Sequence, residues 1–274
     1  MAWVLAEEEH KRGSADPFVA RTVVQAGRIV SPYALGIDKE RSIMHVFDQV
    51  RRHLHECDDI ARRIVAEILE HSDTLKAQLL DEREPAQPLR IPAVGNLTND
   101  VETFLYHIKL ALRELKGVFN PTLGKRFKET TQYKHIAEWS EKRFGRENVL
   151  TNWLKQNCDW IEKLIDSRNA VEHPERHNLK IVNFNVDGGT IRDPSWSLDG
   201  EHPKSLLQDM KILPTNILEF SEILLLYCLR NVKDISPIII AEIPEPKRDV
   251  EAPIRFLATL AQDLDENGLY KGRN

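Results

Sequence analysis

The chain has 274 residues, 41% of them apolar, and a formal net charge of −5. That length can bury a large core in one domain or two, and the negative balance excludes a surface that attracts nucleic acid as a whole, so a polyanion site has to be a local basic patch. Three scattered cysteines, Cys57, Cys158 and Cys228, with no CxxC, exclude a disulfide scaffold and a four-ligand zinc site, and fit a reduced cytosol. The N-terminal "MAWVLAEEEHKRG" lacks the charged start, apolar stretch and cleavage site of a signal peptide. The apolar runs 223–229 and 237–241 are too short to span a bilayer. A cytoplasmic protein without a membrane partner is expected.

Residues 1–37 carry weak signals, and "FVARTVVQAGRIV" (18–30) reads as a short strand pair or an irregular arm. From Asp38, a plausible N-cap, the pattern clears. Ile43, Val46, Phe47, Val50, Leu54, Cys57, Ala61, Ile64 and Ile68 recur at steps of three and four, one stripe of a long helix. "DEREPAQPLRIPA" (81–93) holds three prolines in a polar stretch and reads as a linker or long loop. Asn99 with Glu102 then forms a capping-box pattern. Val101, Phe104, Leu105, Ile108, Leu112 and Leu115 supply a buried face, and Gly117 a stop. A short helix is expected around 132–144, ended by Gly145, and a longer one around Leu150, Trp153, Leu154, Trp160, Ile161, Leu164 and Ile165. Residues 179–198 alternate Val182, Phe184 and Val186 with polar residues around Asp187-Gly188-Gly189, the pattern of a β-hairpin. Asn216 and Glu219 open a second capping box before "ILEFSEILLLYCLRNV", apolar nearly all round and so the central helix. "PIIIAEIP" (237–244) suggests a late strand, and the polar tail beyond about Asp263 a frayed end. The fold class is mainly α: a helical bundle with an inserted β-hairpin and a long N-terminal helix. Three regions follow: an N-terminal helical region with a weakly structured arm (1–92), a helical domain with its hairpin (93–235), and a short strand and tail (236–274).

The most suggestive stretch is "DSRNAVEHPERHN" (166–178). Arg168 continues the stripe of Trp160, Ile161 and Leu164, which directs its guanidinium near the bundle. His173 precedes Pro174, which biases it away from helical geometry and sets a turn. Ideal helix would hold the two side chains about 140° apart at ~100° per residue, so a break at the helix end is needed for them to converge. The plainer alternative is a helix end: Arg168 and Glu172, four apart, as an ion pair, and Asn169 with His173-Pro174 as stop residues.

A long helix ending in "RNAVEHP", with another long helix downstream, resembles the HEPN superfamily (higher eukaryotes and prokaryotes nucleotide-binding domain). Its hallmark is an arginine, four to six residues and a histidine, often with a polar residue after the arginine; Arg168, Asn169 and His173 match those positions. The resemblance covers roughly residues 95–233, and the long N-terminal helix and hairpin depart from the minimal core. It implies metal-independent endoribonuclease activity with no cofactor: the ribose 2′-OH attacks the adjacent phosphodiester and leaves a 2′,3′-cyclic phosphate. In that chemistry His173 is acid and base, Arg168 holds the phosphate's developing charge, and Asn169 orients. The resemblance further implies RNA as partner, a homodimer with a composite cleft, and a toxin or phage-defence setting with an antitoxin partner. A non-catalytic module that dimerises or binds nucleic acid or nucleotide is the alternative. Arg168 and His173 facing one open basic cleft would mark the enzyme; a buried Arg168–Glu172 pair, or an outward His173, would mark the module.

Between Lys109 and Glu147 basic residues outnumber acidic ones, 10 against 5. Within "GKRFKETTQYKH" (124–135), Lys125, Arg126, Lys128, Tyr133 and Lys134 combine cations with an aromatic ring, a pattern that suits phosphate contact and base stacking and equally a solvated loop. In "HLHECDD" (53–59), His53 with Cys57 and His55 with Asp59 lie one helical turn apart; with no third ligand in view, a charged helix face is the expectation and no metal site is assigned.

Overall fold

Residues 17–33 are helical rather than a strand pair. The computed structural model describes residues 12–80, 90–188, 190–232, 234–265 and 267–271. Helix α1 (Pro17–Val19) is opened by Asp16, whose carboxylate accepts from the Phe18 and Val19 N–H groups at 2.8 and 3.3 Å. It runs on through a π-helical turn (Ala20–Gln25) into α2 (Ala26–Val30) and a 3₁₀ turn (Ser31–Tyr33). Phe18, Ala20, Ala26, Ile29, Val30 and Tyr33 are buried, but so are Arg21, Thr22 and Gln25, and these polar residues hide the helical period.

Helix α3 (Ile37–Leu80) buries all nine residues of the expected stripe, from Ile43 to Ile68. Asp38 lies within its first turn instead of capping it. Residues 81–89 of the proline-rich stretch lie outside the described residues. Helix α4 (Leu97–Leu115) also starts early: left-handed Asn96 (φ 52°) takes the cap position, so the Asn99–Glu102 box does not form. The expected face is fully buried. Gly117 does not stop the chain, which passes through a 3₁₀ turn (Lys116–Val118) into α5 (Phe119–Leu123) and halts at Gly124 (φ 69°). Gly117 serves packing, since a Cβ there would lie 2.7 Å from Val46 Cγ2 of α3.

Helix α6 (Tyr133–Phe144) stops at Gly145 as expected, and α7 (Val149–Glu172) follows, capped by Asn148, which accepts from the Leu150 N–H at 2.9 Å. The hairpin region is two antiparallel ladders in series. Strand β1 (Leu179–Val182) pairs with β4 (Ser195–Leu198), and β2 (Asn185–Asp187) pairs with β3 (Thr190–Arg192) across Gly188 (φ 55°). A short β5 (Lys204–Ser205) extends the first ladder.

Helix α8 (Leu206–Arg230) begins ten residues before Asn216, with Ser205 as its cap and Pro214 inside it, so the second capping box is not formed either. From Phe220 to Leu229 it is buried nearly all round, while Gln208, Lys211, Ile212, Thr215, Asn216 and Glu219 leave one face of its first half exposed. By length and composition α8 could cross a membrane, but 67% of its apolar window is buried inside the molecule, and it fills the core between α3, α4, α5 and α7. Strand β6 (Ile238–Glu242) forms as expected and pairs with an unanticipated β7 (Phe256–Leu260). The protein is mainly α, with three small antiparallel sheets among the described residues. Packing of α4 against α7 brings the end of α7 beside the middle of α4, and this contact builds the candidate site.

Candidate functional site

Arg168, Asn169 and Glu172 occupy the last turns of α7, and Tyr106 and Lys109 face them from α4. The Arg168 guanidinium lies over the Tyr106 ring, 5.4 Å from its centroid. Its Nη2 is 3.5 Å from Glu172 Oε1. Its Nε and Nη1 are buried and have no hydrogen-bond acceptor among the described residues. Lys109 Nζ donates to Asn169 Oδ1 at 2.9 Å and to Glu172 Oε2 at 2.7 Å. The Lys109 hydrogen bond, with the positive charge around it, holds the Glu172 carboxyl below its ordinary pKa against a smaller opposing effect of burial.

His173 ends the helix. Its backbone leaves helical geometry (φ −135°, ψ 65°), as the following proline requires, while its N–H still donates to the Asn169 carbonyl at 2.7 Å. Its side chain is half exposed and faces Glu175, with Nδ1 3.7 Å from Oε1. The fold therefore gathers Arg168, Asn169, Glu172, Tyr106 and Lys109 into one cluster and leaves His173 at its edge, paired elsewhere. Within one chain, the Arg168–Glu172 contact and the outward His173 are the arrangement expected of a binding module. A cleft of about 420 Å³ adjoins the motif between α4, the end of α7 and β1; Glu102, Val171, Pro174 and Lys180 line it, and neither Arg168 nor His173 does.

The basic segment divides by side-chain type. Arg126, Lys128 and Lys134 are exposed and Lys125 is partly so, as a phosphate-contacting surface requires. Tyr133 is the correction. It is fully buried, donates its hydroxyl to the Leu112 carbonyl at 2.7 Å, and cannot stack on a base. Burial pushes its phenol pKa far up. Phe127 likewise turns inward, edge-on to Phe119 and Trp139 at 5.2 Å from each. The aromatics fill space beneath α6 and the cations remain outside.

The residues of "HLHECDD" point in different directions. His53 meets His107 of α4, with their Nδ1 atoms 3.2 Å apart. Burial lowers the pKa of both rings, and the His107 charge lowers that of His53 further. Cys57 is buried against the Phe104 carbonyl, and His55 is buried 3.4 Å from Asp16. Burial would raise the Asp16 pKa, but hydrogen bonds from His55 and from the Val19 and Phe18 N–H groups prevail and hold it at about 2. Among the described residues no three His, Cys, Asp or Glu side chains converge on a point that could hold a metal ion.

No family model matches the sequence, and no curated protein or solved structure is significantly similar to it. Lys109 and Tyr106 are the site residues that sequence reasoning missed. Their local signal was only membership of the basic stretch and of the exposed side of α4. Their meeting with the end of α7 is a long-range contact that no spacing encodes.

Proposed function

We propose that the chain is a HEPN-like, metal-independent endoribonuclease whose site at the end of α7 is completed by a second copy. The observation that carries this reading is the Arg168 guanidinium, with two buried N–H-bearing nitrogens lacking an acceptor in a cluster that also holds Lys109. Two cations against one carboxylate leave a local positive balance. A phosphodiester that displaced Glu172 would satisfy both. His173, half exposed, would take the proton of the attacking 2′-OH or give one to the leaving 5′-oxygen. Its separation from the Arg168 cluster of its own chain suits a composite cleft, in which each arginine meets the histidine of the other copy. The cytoplasmic toxin or phage-defence setting, with an antitoxin partner, belongs to the same reading and rests on the resemblance alone.

A second reading has its own observation. Glu172 already engages both Lys109 and Arg168, so the same cluster suits a module that binds RNA or dimerises without cutting. Incubation of the purified protein with a mixed RNA pool in EDTA separates the two. Cleavage that survives EDTA, leaves cyclic phosphate ends and disappears in folded Arg168→Ala and His173→Ala variants supports the ribonuclease. RNA binding without cleavage by the wild type supports the module.

A further inference from the structure

The row of side chains on α4 that includes Tyr106 and Lys109 continues through Arg113 to Lys116, at steps of three and four. It covers about 15 Å at 1.5 Å per residue. At its far end, α3, the end of α4 and the loop after α5 enclose a cavity of about 340 Å³. His45, Arg113, Lys116 and Arg126 line it, with Glu114 and Glu129.

The charges in this cavity are unevenly matched. Both carboxylates are engaged by Arg113, at 3.0 Å from Glu114 and 3.4 Å from Glu129. Lys116 is only 8% exposed and makes no ion pair among the described residues. Its ammonium donates to the Glu129 backbone carbonyl at 2.6 Å and lies 5.6 Å from the centre of the Tyr133 ring. An ammonium has three donors, and that carbonyl accepts from one. Arg126 stands exposed at the rim with no carboxylate partner among the described residues. Burial, helped by Arg113 and opposed by Glu129, lowers the Lys116 pKa to about 8. A methionine would fill the same space without that electrostatic penalty.

We propose that this cavity binds a phosphate group, held by the Lys116 ammonium and the Arg126 guanidinium. A phosphate offers several acceptor oxygens to the spare ammonium donors and to a planar guanidinium fork. The volume falls at the small end of ligand sites, and a lining in which five of the eleven residues are charged disfavours an apolar ligand. The phosphate can belong to a free phosphate ester or to an RNA backbone led along α4 from the Arg168 cluster. The site itself does not depend on Arg168 and stands whether or not the ribonuclease reading holds.

Calorimetric titration with inorganic phosphate at neutral pH tests it. Wild type should bind, and the exposed Arg126→Ala, which removes no packing, should weaken binding about tenfold. Lys116→Met should abolish it while keeping the native circular dichroism. Arg168→Ala should leave it unchanged. Near pH 8 a bound anion restores the incomplete charge of Lys116, so binding there should take up a proton, seen as a heat that depends on the buffer's ionisation enthalpy. A 2′-O-methyl oligoribonucleotide that displaces phosphate assigns the site to the RNA backbone; failure to displace assigns it to a small ester. No binding by wild type, or equal binding by Arg126→Ala, overturns the proposal. Loss of binding in Arg168→Ala overturns it as well, because the anion then belongs to the α7 cluster.

Discussion

A buried arginine, Arg21, and a partly buried one, Arg168, are treated in opposite ways. Arg21, in the π-helical turn, donates from Nε to Glu222 Oε1 at 2.7 Å and from Nη2 to the second oxygen of the same carboxylate. Gln25 donates to Glu222 at 2.6 Å, and its own carbonyl accepts from the Arg255 and Phe256 N–H groups, which ties the N-terminal helices, α8 and β7 into one network. Among the described residues Arg168 has a single long contact with a carboxylate, an aromatic ring beneath it, and two buried nitrogens with no acceptor. The fold can pair a buried guanidinium with both oxygens of one carboxylate and does so where the charge joins structural elements. Where it does not, the charge adds little to stability, and a ligand is the natural recipient of the spare donors.

Removing one partner from each arginine's surroundings tests the contrast. Glu222→Ala leaves Arg21 buried and uncompensated and should destabilise the protein by about 3–5 kcal/mol, measured by urea denaturation. Arg168→Met should stay within about 1 kcal/mol of wild type, or exceed it, because an apolar chain of similar length removes two unsatisfied donors. The same variant should lose RNA cleavage. A large stability loss in Arg168→Met would make Arg168 a second Arg21 and remove the case for a ligand there.

This contrast also marks how far the sequence could be read. The stripes of α3 and α4 and the stop at Gly145 were legible because an apolar period and a glycine with positive φ act locally. Helix starts were less so: Asn99 and Asn216 had capping partners at the right spacing, yet packing of Leu97 and of Leu206, Met210 and Leu213 carried the helices past them. Pro214, two residues ahead of the expected cap Asn216, is accommodated inside α8. The 18–30 segment failed because Arg21, Thr22 and Gln25 are buried polar residues, and the partner of Arg21 and Gln25 lies about 200 positions away. The candidate site was half legible. Arg168, Asn169 and His173 stand together in the sequence, but Lys109 and Tyr106 reach them only through the α4–α7 packing, and nothing local announces that Tyr133 points inward.

The smallest expected effect decides how the Arg168 cluster is held at rest. Among the described residues Glu172 is the one carboxylate that touches both Lys109 and Arg168, at 2.7 and 3.5 Å. Its folded pKa lies below the ordinary 4.5, so the stability it adds is present above that value and is lost as pH falls through the depressed one. The pair is partly exposed, and solvent screening limits the contribution to below about 1 kcal/mol. Glu172→Gln should therefore lower stability slightly at neutral pH and flatten its decline in acid, while urea curves of the two proteins converge below the folded pKa. Removing this charge frees Lys109 and Arg168, so RNA affinity should rise several-fold and its salt dependence should steepen, as expected when more cations meet phosphate. If affinity falls instead, Glu172 is the residue that aims Lys109 and Arg168 at the backbone, and the cluster works only with its carboxylate in place.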